Sequence, residues 1–174
     1  LFAGNGQLQQ ALAYIDSADP QTVKLYGMAD EEKQNELLFS VGLVYFRSRN
    51  FKRAKKYINE IVLFGKSSYR SMMYRASRLL NILVHYEEND CEYAQYEMRS
   101  FTRAFRQNGK LLEIENLVFK TIKHNPRKNI TGKNISFWQR MQPAIDAIRK
   151  DKFEMQLIRH FDFTNWLHEK LNKR

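Results

Sequence analysis

Apolar residues recur at three- and four-residue spacing along most of the chain, the period of α-helices with one buried face. Leu8, Ala11, Leu12 and Ile15 predict an amphipathic helix near residues 7–17. Asp19-Pro20 breaks it and can start a short helix through Met28. Asp30 suits an N-cap, with Glu31 and Glu32 in a first turn where the helix dipole favours negative charge. That helix runs to about Arg49, and Asn50 caps a partner ending at Gly65. A third long helix, from near Ser68 to near Glu88, carries the wide apolar stripe Met72, Ala76, Leu79, Leu80, Leu83 and Val84. Asn89 with Glu92 reads as a capping box for the next helix, which bears Tyr93, Ala94, Met98, Phe101 and Phe105 and stops at Gly109.

Leu111, Leu112, Ile114, Leu117, Val118, Thr121 and Ile122 predict a further long helix, ended by Asn125-Pro126. Residues 125–134, NPRKNITGKN, are the one long polar segment and read as a mobile basic loop. Helical spacing resumes at Phe137, Trp138, Met141, Ile145 and Ile148. Pro143 lies within this run and either kinks one helix or starts the second of two short ones. A short helix is expected over Phe153–His160, and Asp162 caps a last one with Phe163, Trp166, Leu167 and Leu171.

The segment Leu38–Ile61 organises the rest. Gly42 and Ala54 are small where two antiparallel helices can approach closely, and Leu38, Val41, Tyr45, Phe51, Ile58 and Ile61 fill the seam around them. At this spacing the segment resembles the tetratricopeptide repeat, a stacking helix–turn–helix unit. Leu38 stands in place of the usual Trp, Ile61 where a small residue is normal, and Lys66 about where a closing Pro falls. Ala54 and Ala94 occupy matching places 40 residues apart, against about 34 in a standard unit, and Ile82 stands in the place of Gly42. The resemblance implies an all-α fold of antiparallel helical hairpins stacked in a right-handed α–α superhelix, with C-terminal helices capping the open end. Residues 1–174 then read as a single helical-repeat domain, a fragment of a longer protein, since the chain opens on Leu1.

Composition agrees with helices. Hydrophobic residues make up 43% and charged residues 28%, and only seven Gly and three Pro leave little material for a strand-and-turn fold. The single Cys91 excludes an intrachain disulfide, and no apolar run is long enough to span a membrane. A cytoplasmic location is expected.

Candidate chemistry is sparse. Among His85, His124, His160 and His168 there is no HExxH motif, no Cys/His pair and no paired His with a close carboxylate at i+3 or i+4, so they read as surface or partly packed residues. A break at Asp162 separates His160 from His168. Neither a phosphate-binding glycine loop nor a nucleophile motif is present, so no enzyme, metal or cofactor is expected. The triplets at Asn129 and Asn134 match the glycosylation pattern and read as coincidence.

Charge remains. The net charge is +10, and residues 101–174 carry +9 of it. Lys120, Lys123, Arg127, Lys128 and Lys133 bracket the polar loop and form a candidate polyanion site, with a solubilising surface as the alternative. In tetratricopeptide repeats the first helix of each pair lines a concave groove. The resemblance therefore implies that Glu36, Phe39, Leu43, Phe46 and Arg47, with Leu79, Leu83 and Tyr86 further on, face a peptide or partner helix, although Leu43 and Leu83 can equally be core. The expected function is a non-catalytic protein–protein interaction scaffold, with nucleic-acid or other polyanion binding through the basic half as the alternative.

Overall fold

The computed structural model describes residues 5–17, 30–64, 71–107, 110–125 and 131–172. Nine α-helices and no strand lie among these residues: α1 (Asn5–Asp16), α2 (Glu31–Arg47), α3 (Phe51–Phe64), α4 (Met72–Glu87), α5 (Cys91–Gln107), α6 (Glu113–His124), α7 (Thr131–Ile148), α8 (Glu154–Ile158) and α9 (Phe163–Leu171). The fold is all-α. Packing divides the chain into two compact units, 1–94 and 95–174, with the division inside α5. The short helix expected through Met28 lies outside the described residues, as does the helix stop expected at Gly65.

In the first unit, α2 and α3 form the hairpin expected around Asn50, α4 packs on both, and α1 lies against α2. The seam depends on one missing methyl. A Cβ built on Gly42 would stand 2.6 Å from Cδ1 and 2.8 Å from Cγ1 of Ile58, and both residues are buried. Asp30 caps α2 as expected, its Oδ1 accepting from the Lys33 N–H at 2.9 Å. α1 is tied to the hairpin by Asp16, whose Oδ1 accepts from the Tyr45 hydroxyl at 2.9 Å and from Arg53 Nη1 at 2.6 Å.

The first unit also holds a structural repeat of period 40. At the end of α2, Arg49 adopts φ 62°, its N–H bonds to the Phe46 carbonyl, and the Asn50 N–H bonds to the Tyr45 carbonyl. At the end of α4, Asn89 adopts φ 66°, with matching bonds from Asn89 to Phe46's equivalent Tyr86 and from Asp90 to His85. Both are Schellman motifs closed by a left-handed residue, and in each the next residue opens the following helix. Asn50 Oδ1 accepts from Arg53 N–H and Asp90 Oδ1 from Tyr93 N–H, both at 3.3 Å. The cap of α5 is therefore Asp90. Asn89, expected to start a capping box, is spent on the left-handed turn, a conformation that asparagine adopts more readily than most residues.

In the second unit, α7 packs on α6, and α9 packs on both. Phe101 of α5 meets Phe119 of α6 edge-on at 5.5 Å. The core is completed by Ile114, Leu117 and Val118, Met141, Ile145 and Ile148, and Leu157, Phe163, Trp166, Leu167 and Leu171. α7 begins at Thr131 and so takes in the last four residues of the expected loop, of which 126–130 lie outside the described residues. Asn134 is buried there, its Oδ1 3.0 Å from His124 Nε2, while Phe137 stacks on the same imidazole at 4.2 Å. These contacts pin the start of α7 to the end of α6. α7 runs unbroken through the exposed Pro143. Asp162 separates α8 from α9 and caps α9 through the Asn165 N–H at 3.1 Å.

Candidate functional site

Burial reshapes the expected groove. Phe39, Phe46, Leu79, Leu83 and Tyr86 are buried, so they are core in this structure and offer no surface to a partner. The reason is that α4 is enclosed on all sides from Ala76 to Tyr86, polar residues included. What stays open is a strip along α2. Glu36, Ser40 and Arg47 are exposed and Leu43 is half-buried, at positions i, i+4, i+11 and i+7 of one helix face, and Leu37 beside them is 44% exposed.

The end of α4 holds a polar cluster that helical spacing does not reveal. His85 Nδ1 lies 3.0 Å from Asp90 Oδ2, and the imidazole stacks on Tyr93 with ring centroids 3.9 Å apart. Lys55 reaches the same place from α3, its Nζ 5.9 Å from the Tyr93 ring centre and 3.8 Å from Glu88 Oε2. A carboxylate only accepts hydrogen bonds, so the neutral imidazole carries its proton on Nδ1 and presents Nε2 as an acceptor. Burial holds the His85 pKa below the usual histidine range, opposed by the hydrogen bond to Asp90. That hydrogen bond in turn lowers the Asp90 carboxyl. His85 is thus a buried residue, not the surface or partly packed one expected. One turn earlier, Asn81 is also buried, and among the described residues neither its amide nitrogen nor its oxygen has a hydrogen-bond partner. The signal in the sequence was the 40-residue offset, which matches His85 to Tyr45, Asp90 to Asn50 and Tyr93 to Arg53. In the first copy Arg53 lies over the Tyr45 ring at 5.3 Å, as Tyr93 lies over His85 in the second.

The basic residues are displayed. Lys120, Lys123 and Lys133 are exposed, and Arg127 and Lys128 lie outside the described residues. The unit 95–174 contains 17 Lys and Arg against 8 Asp and Glu, or +9, whereas residues 1–94 contain 12 against 11, or +1. Each described Lys and Arg of 95–174 is exposed except Lys170, which is half-buried with Nζ 5.9 Å over the Trp166 ring. Four of the eight carboxylates face helix starts instead, and Glu113 Oε1 lies 3.8 Å from Lys120 Nζ. Glu115 accepts from the Leu112 N–H at 2.8 Å, and Glu154 accepts from the N–H groups of Glu113 at 2.6 Å and Ile114 at 3.2 Å. Asp151 accepts from Phe153 and Glu154, and Asp162 from Asn165.

Among the described residues no group of three or more His, Cys, Asp or Glu could hold a metal ion, and no helix is long and apolar enough to cross a membrane. Comparison with protein-family models, with curated proteins and with solved structures found no match.

Proposed function

We propose that this chain is a non-catalytic interaction module whose antiparallel helix pairs stack as in tetratricopeptide-like, right-handed superhelices. The observation that supports this is the recurrence of one helix–turn–helix joint at a 40-residue period, with the same carbonyls accepting and the same position left-handed. A joint reproduced in this way sets the same exit path for each following helix, which is what a stack of like units needs. The partner surface is the α2 strip of Glu36, Ser40, Leu43 and Arg47. It combines opposite charges at its ends with an apolar centre, and it suits an extended peptide or a partner helix with a complementary pattern.

The test is affinity capture by the wild-type chain and by a Leu43→Asp, Arg47→Glu double variant, with captured proteins identified by mass spectrometry. Both substituted side chains have access to solvent, so the variant should melt as the wild type does. Loss of a wild-type partner by the folded variant is the expected result. Retention of the same partners would remove the α2 strip as the binding surface.

A further inference from the structure

The charge of this protein is partitioned by unit, and the two signs are handled differently. In 95–174 the cations extend into solvent, while four of the eight carboxylates accept hydrogen bonds from backbone N–H groups at helix starts. A capping carboxylate already faces the positive end of a helix dipole, which offsets part of its field. The outward field of this unit is therefore set by its lysines and arginines. Lys120 and Lys123 stand on α6, Lys133 and Arg140 on α7, and Lys150 and Lys152 on the turn that follows it, all exposed.

We propose that the 95–174 unit docks the phosphate backbone of nucleic acid, without reading base sequence. Three observations select this occupant. The cations are spread over α5, α6, α7 and the turn after α7, which suits a long polyanion of regular charge spacing better than one acidic side chain or one phosphoryl group. Large exposed apolar side chains among the described residues of this unit are limited to Tyr96 and Phe153, at 58% and 54%, too few to anchor the unit in the acyl layer of a membrane. The same scarcity leaves no row of rings on which successive bases could stack, so backbone contacts carry the affinity. This surface is independent of the α2 strip.

The experiment is fluorescence anisotropy of the whole 174-residue chain with a labelled 20-nucleotide RNA and a 20-base-pair DNA duplex, at 50 and 200 mM KCl. Neutralising three to five phosphates should weaken binding over that fourfold rise in salt by roughly 40-fold to 500-fold for the duplex and about 20-fold to 130-fold for the single-stranded RNA. Lys120→Glu with Lys123→Glu should lose at least about tenfold at 50 mM salt, because two phosphate contacts become repulsions. Lys52→Glu with Lys56→Glu, exposed on α3 in the other unit, should stay within about twofold. Circular dichroism and melting report whether each variant folds, and Lys133→Glu with Arg140→Glu replaces the first pair if it does not. Three outcomes overturn the proposal: no binding at 50 mM KCl, equal losses from the two units, or tighter binding to phosphatidylserine vesicles or polyglutamate than to either nucleic acid.

Discussion

Two residues of the first unit are set by what lies a few ångströms away. Gly42 is buried where a methyl group would meet the side chain of Ile58, itself fully buried and unable to swing into solvent. Gly42→Ala gains about 1 kcal/mol of helix propensity but overpacks the seam at a cost of about 1–3 kcal/mol. The expected result is a net loss of about 1 kcal/mol in urea unfolding, part of which Ile58→Val restores by removing the nearest atom. Asn81 presents the opposite case. Its amide is buried with both polar ends unpaired among the described residues, a state that costs about 1–3 kcal/mol. Asn81→Leu, similar in shape and free of that penalty, should raise the midpoint of thermal unfolding. A lowered midpoint would mean that the amide has an unrecognised partner. Of these two, Gly42 was legible from sequence, because a small residue facing Ala54 at hairpin spacing implies close approach. Asn81 was not, because helical periodicity assigns a face but does not say how many neighbours cover it. The same gap explains Phe39, Phe46, Leu79, Leu83 and Tyr86, which share faces as expected yet lie in the core.

Between elements, the start of α6 depends on a residue 40 positions away. The N–H groups of Glu113 and Ile114 have no partner within their own helix and are met by the buried Glu154 carboxylate. Glu154→Ala should destabilise by about 2–4 kcal/mol, since two donors lose their acceptor, whereas Glu154→Gln keeps one acceptor oxygen and should cost about half as much. Chemical denaturation of the two variants measures the difference. No local pattern foretells this contact, because it exists only once α8 is folded back onto α6.

The joint between α4 and α5 adds a pH dependence. With its folded pKa depressed below about 6.5, His85 makes the unfolded chain the better proton binder in mild acid, so stability rises with pH through that range and falls on acidification. Asp90, also depressed, contributes stability that is present above its usual pKa and lost as pH falls further. Both act in the same direction, with His85 first. Melting temperatures from pH 7.5 to 5 should therefore decline more steeply for the wild type than for His85→Gln. The i+5 pairing of these residues escapes a search at helical spacing, because the left-handed Asn89 turns the chain back before Asp90.

For the molecule as a whole, the all-helical class was readable from periodicity, caps and the scarcity of Gly and Pro. The division at 94/95 was not, since apolar spacing continues through α5 without a break. The charge asymmetry was visible by counting and coincides closely with that division. What counting does not give is orientation, namely that Glu115, Glu154, Asp151 and Asp162 serve helix starts while the cations meet solvent. With a net charge of +10 and an isoelectric point near 9.7, the chain should be least soluble near pH 9.7 and markedly more soluble at pH 7. Turbidity across that range at low salt is the check.

The matched joints at Asn50 and Asp90 also bear on how such a chain could grow. Splicing in a second copy of residues 50–89 would set Asn89 against another Asn50, reproducing a junction of the kind already used twice. One obstacle would come with it: the duplicated Ile58 would arrive opposite Ile82 rather than a glycine. Lengthening this protein by one module would thus call for a compensating edit, Ile82→Gly, at the position that matches Gly42.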